Sequence, residues 1–78
     1  MPVYFFDIKD ADGIHRDDVG LELPDMDTAI LESRRTLAEM SMEAGREGQD
    51  QVTEILIRDH GEGPVRMVMS VRTERGTN

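Results

Sequence analysis

The three aromatic residues of this 78-residue chain stand in one tripeptide, Tyr4-Phe5-Phe6, and no strand can bury all three on one side. Successive strand side chains point to opposite faces. A strand over Val3 to Lys9 therefore sets Tyr4, Phe6 and Ile8 on one side and Val3, Phe5 and Asp7 on the other. The chain carries one long helical pattern, and one helix covers one side of a small sheet. Phe5 is expected on the uncovered side, where a ring of that size marks an oligomer or binding surface.

The rest of the chain supplies the sheet and the helix. Asp10-Ala11-Asp12-Gly13 is a turn, because Asp and Gly tolerate the backbone of tight hairpins, and Ile14 to Asp17 returns antiparallel to the first strand. Val19-Gly20-Leu21-Glu22-Leu23 alternates and extends that second strand past a bulge at Asp17-Asp18 or Gly20, up to Pro24. A helix follows, opened by Asp27 or, as a rival cap, Asp25. Met26, Ile30, Ser33, Leu37, Met40 and Ala44 form its buried stripe, and Leu31, Ala38 and Met42 form a second stripe suited to a flank or an interface. Gly45 and Gly48 bracket its end. Val52 to Asp59 is a strand with Thr53, Ile55 and Ile57 inward. His60-Gly61-Glu62-Gly63-Pro64 is a second hairpin connection, and Val65 to Arg72 alternates again.

The expected fold is α+β, a ββαββ unit with a four-stranded antiparallel sheet and the helix on one face. Residues 1–72 form a single domain and residues 73–78 a frayed tail. The strand order is not readable. The outer sheet face then gathers Phe5, Leu56 and Val68 among Arg58, Arg66 and Arg72, an apolar centre with a charged rim.

Charge and size bound the function. The formal charge is -8, which opposes direct binding to a phosphate backbone. Asp7, Asp10, Asp12, Asp17, Asp18, Glu22, Asp25 and Asp27 face only Lys9 and Arg16 over residues 7–27, whereas Arg58, Arg66, Arg72 and Arg75 fall in the last third. Such polarity suits pairing between complementary surfaces. A small core without cysteine has no disulfide to support it, so association is the expected aid, and a dimer is favoured. The lack of cysteine fits a cytoplasmic location, no apolar run reaches the roughly 18 residues that span a bilayer, and the first residues lack the basic region of a signal peptide.

Tyr4-Phe5-Phe6-Asp7-Ile8, Asp12-Gly13, Gly20 to Asp27 with Ala29 opening a helix, the turn Asp59-His60-Gly61 and the strand Val65 to Val71 together resemble a family of small bacterial proteins. That family, common in rhizobia and their relatives, is classed as a domain of unknown function. The resemblance covers nearly the whole chain and implies the fold, with no activity attached to any residue. Gly20 to Ala29 is more loosely similar to the sheet-to-helix junction of HicB-type antitoxins, without their appended DNA-binding segment.

No catalytic constellation or cofactor motif emerges. Placing Gly13 at the sixth position of a calcium loop puts Ile8 first and Val19 twelfth, and neither offers a side-chain oxygen. His15, Asp17, Asp18, Asp59 and His60 could ligate a metal only if the fold gathered them. Ser33 lies on the buried helix stripe, where its small size suits close helix packing better than nucleophilic chemistry. The leading expectation is a non-catalytic interaction or regulatory module that self-associates through Phe5, Leu56 and Val68, or through Leu31 and Met42. An alternative is an antitoxin-like partner whose Asp17, Asp18, Asp25 and Asp27 mask a basic nucleic-acid-binding protein. A small enzyme would have to assemble its pocket between subunits.

Overall fold

A computed structural model describes residues 1–59 and 64–76. In chain order the elements are β1 (Val3–Asp10), β2 (Gly13–His15), β3 (Leu21–Glu22), α1 (Met26–Glu47), β4 (Gln51–Arg58) and β5 (Val65–Val71). The fold is α+β, one helix on an antiparallel sheet of order β2-β1-β4-β5, with β3 pairing separately with β1. The expected second strand is broken in two. β2 pairs with the end of β1, Lys9 opposite Ile14, and β3 with its start, Tyr4 opposite Leu21. Between them residues 16–20 leave the ladder, so the alternation of Val19, Leu21 and Leu23 does not mark one continuous strand: Val19 is 87 % exposed.

Strand periodicity sets the two faces as expected. Phe6 pairs with Ile57 and Ile8 with Ile55, and Ile55 pairs with Met67, which puts one apolar layer under the helix. Tyr4, Ile55, Ile57, Leu37, Met26 and Ala29 form the buried core, with Phe6, Ile8, Ile30, Met67 and Met69 packed around it. Ala29 lies in that core rather than merely opening the helix, because it faces the sheet one turn before Ser33.

The helix starts two residues earlier than a cap at Asp27 would place it. Asp25 is the cap: its backbone is extended, and its carboxylate accepts from the Thr28 N–H and hydroxyl at 2.8 and 2.7 Å. Asp27 lies in the first turn and adds charge at the positive end of the dipole. At the other end Gly48 takes the left-handed conformation, φ 71°, and its N–H returns to Ala44 and Gly45. The segment after β5 is irregular through residue 76, although the Thr73 N–H donates to Asp50 at 3.0 Å. The expected connection over residues 60–63, and the last two residues of the expected tail, lie outside the described residues.

Ser33 is buried against the sheet, and its hydroxyl has no hydrogen-bond partner among the described residues. A buried hydroxyl left unpaired loses its hydration without return, typically about 1–3 kcal/mol. Ser33→Ala removes the group and keeps the close packing. The expected result is a higher urea midpoint with an unchanged slope; a lower midpoint would contradict a burden at this position.

Candidate interaction face

The sheet face away from the helix carries Phe5, Asp7 and Lys9 from β1, Ile14 from β2, Val52, Glu54, Leu56 and Arg58 from β4, and Arg66, Val68 and Ser70 from β5. Helix α1 packs against β1, β4 and β5 on the opposite side, so among the described residues no helix or strand lies over this face. One end of it is closed by the chain itself. There Arg58 donates from Nε to Asp7 Oδ2 at 2.6 Å and from Nη2 to Asp7 Oδ1 at 3.0 Å, and Nη2 also reaches the Asp17 carbonyl at 3.1 Å. Its guanidinium carbon stands 5.1 Å from the centroid of the Phe5 ring.

Asp17 closes the gap between β2 and β3. Its Oδ2 accepts from the Phe6 N–H at 3.0 Å, its Oδ1 from the N–H groups of Val19 and Gly20 at 3.0 Å each, and its own N–H donates to Asp7 Oδ1 at 2.9 Å. A strand donor that lost its ladder partner is thus satisfied by a side chain. Gly20, at φ 78°, then rests on the strand so closely that a Cβ there would lie 2.6 Å from Val3 Cγ1 and 2.9 Å from Phe5 Cε1. Gly20 and Arg58 therefore shield Phe5, which is half-buried rather than open as its place in the tripeptide suggested.

These contacts fix the charges. The Arg58 side chain, foremost, and the Asp17 N–H hold the Asp7 carboxyl below its usual range against the opposing effect of burial. The backbone N–H groups of Gly20 and Phe6 lower that of Asp17, and the Thr28 hydroxyl lowers that of Asp25. Arg58 is held above its ordinary value by Asp7.

The remainder of the face is open and more apolar than charged. Val68 is 49 % exposed, Val52 58 % and Ile14 71 %, while Leu56 is half-buried among them. A depression of about 240 Å³ lies here, lined by Ile14, Leu56, Asp7, Lys9, Glu54 and Arg66. Glu54 forms an ion pair with Arg66 across the strands. Leu56 and Val68 thus stand on the expected face. The alternation that turned Thr53, Ile55 and Ile57 inward already set Glu54 outward, whereas Ile14, Val52 and Lys9 were not foreseen there, although the turn at Asp10 to Gly13 implies the pairing of Lys9 with Ile14.

The other candidates fall elsewhere. Leu31 and Met42 are exposed on the outside of α1. Of the four acids expected to meet a basic partner, Asp17 is half-buried with both carboxylate oxygens accepting from backbone N–H groups and Asp25 caps the helix through Oδ1 while staying exposed, as Asp18 and Asp27 are. His15 lies 3.4 Å from Asp10, and no group of three or more metal-ligating side chains converges among the described residues; His60 lies outside them. No helix is long and apolar enough to cross a membrane among the described residues.

Compared with known proteins, residues 3–72 match the model of a family described as a domain of unknown function, DUF6894. No curated protein and no solved structure matches the chain.

Proposed function

The chain belongs to that family, and we propose that it is a non-catalytic interaction module whose partner is a second copy of itself, docked through the outer sheet face. In this reading β2 and β3 are one interrupted strand, the unit is a ββαββ domain, and it works in the cytoplasm of a bacterium. The observation that carries the proposal is the band of Ile14, Val52, Leu56 and Val68, left open on a sheet whose opposite face already holds the only core among the described residues. Exposed aliphatic side chains gathered around a depression, with Lys9, Glu54 and Arg66 set among them, have the mixed make-up of an interface. A small chain gains most from covering such a band, since its own core is thin. The engagement of Asp17 and Asp25 within the fold weakens the reading as an acidic mask for a basic protein.

Val68→Asp places a charge within the band, on the edge strand β5, without touching the core. It is expected to convert the assembly to monomer by light scattering, with the far-ultraviolet circular dichroism unchanged. Leu31→Asp, on the helix surface, is expected to leave the mass as it was. If Leu31→Asp dissociates the protein and Val68→Asp does not, the contact lies on the helix.

A further inference from the structure

One row across the open face reads Ile14, Lys9, Glu54, Val68, from β2 through β1 and β4 to β5, each residue directly opposite the next in the sheet. We infer that this row dictates the orientation of self-association: the two-fold axis runs along the strands, so that Lys9 of each copy meets Glu54 of the other and Val68 meets Ile14. The inference rests on the self-association proposed above and adds the geometry of the contact.

The row has a hand. A two-fold axis along the strands exchanges its left and right ends, which sets apolar on apolar at the ends and base on acid in the middle. An axis across the strands instead lays Lys9 on Lys9 and Glu54 on Glu54 when the row is centred, and like charges facing each other at an interface oppose binding. Lys9 is exposed and joins no ion pair among the described residues, so a carboxylate from outside finds it uncommitted. Glu54 has Arg66 beside it and can accept from a second cation. The depression lined by Ile14 and Leu56 offers a recess for the approaching Val68.

The edges of the sheet favour the same choice. Strand order puts the acidic segment around β2 and β3 at one edge and Arg66, with Arg72 just beyond β5, at the other. An axis along the strands lays each acidic edge over an arginine edge, and an axis across them lays acid over acid. Aligned sheets cross at about 30°, which leaves the middle of the row in register.

The chain has no cysteine, so single cysteines report the contact directly. Ile14→Cys and Val68→Cys, both at exposed positions, are made separately, mixed, and equilibrated in a thiol-disulfide buffer, with the solution mass of each recorded by light scattering. The expected product is the mixed disulfide in at least about tenfold excess over either homodisulfide, because a disulfide demands close Cβ atoms. Homodisulfides in excess, or a dimer that does not cross-link, would overturn the orientation while leaving self-association standing. Monomers without cross-links would overturn both.

Discussion

Gly20→Ala is expected to lower the unfolding free energy by about 2–4 kcal/mol, the largest loss of any glycine-to-alanine change among the described residues. Two costs combine at this position. The left-handed backbone at φ 78° disfavours any side chain with a Cβ, and the new carbon would meet Val3 at 2.6 Å and Phe5 at 2.9 Å. Relief requires the loop to lift from the strand, which would also stretch the bonds that the Phe6 and Gly20 N–H groups donate to Asp17. Gly45→Ala supplies a control of opposite sign. That glycine lies in α1 with nothing within 4 Å of an added Cβ, so alanine there is expected to stabilise by up to about 1 kcal/mol. Urea unfolding of both variants checks the contrast, and equal effects would remove the loop from its structural role.

Asp17→Ala is expected to cost about 2 kcal/mol, because it strands the part-buried N–H groups of Phe6 and Gly20 and removes the acceptor of the exposed Val19 N–H. Asp17→Asn keeps one acceptor oxygen and is expected to cost less. The two differ from the parent chain in pH dependence as well. A carboxyl whose pKa is lowered by folding adds stability that is present above its unfolded pKa, near 4, and is lost as pH falls through the folded value. Asp7, Asp17 and Asp25 are all lowered. Stability should therefore decline on acidification below about pH 4, and more shallowly in Asp17→Asn. An identical slope in that variant would mean that the carboxylate does not hold the loop.

The loop and its clamp were only half legible in the sequence. The turn in which Asp17 accepts from Val19 and Gly20 is local, and an Asp-Asp-x-Gly stretch hints at it. The bonds to Phe6 and from Arg58 join residues 11 and 41 positions apart, and nothing in a linear pattern announces them. For the same reason Phe5 read as open. Its sidedness follows from alternation, but its cover comes from a glycine and an arginine brought there by the fold. Alternation also placed Ile55, Ile57 and Met67 correctly under the helix, since each strand carries its own period of two. The strand order was out of reach because β1 pairs with β4 across the whole length of the helix. Asp25 and Asp27 were equal on residue type as caps, and the extended backbone of Asp25 with its bonds from Thr28 decides between them.

The two sides of the first strand thus have different fates. Tyr4 and Phe6 complete the core, Phe5 is covered at one end of the outer face by Gly20 and Arg58, and the aliphatic band beyond it stays open. Sedimentation equilibrium of the unaltered chain, across the micromolar range and at low and high salt, tests whether a second copy covers that band. The expected mass is twice 8.8 kDa, with dissociation promoted by salt because the acidic edge of one sheet meets the arginine edge of the other at the solvent-exposed margin. A mass that stays at 8.8 kDa throughout would contradict self-association through this face.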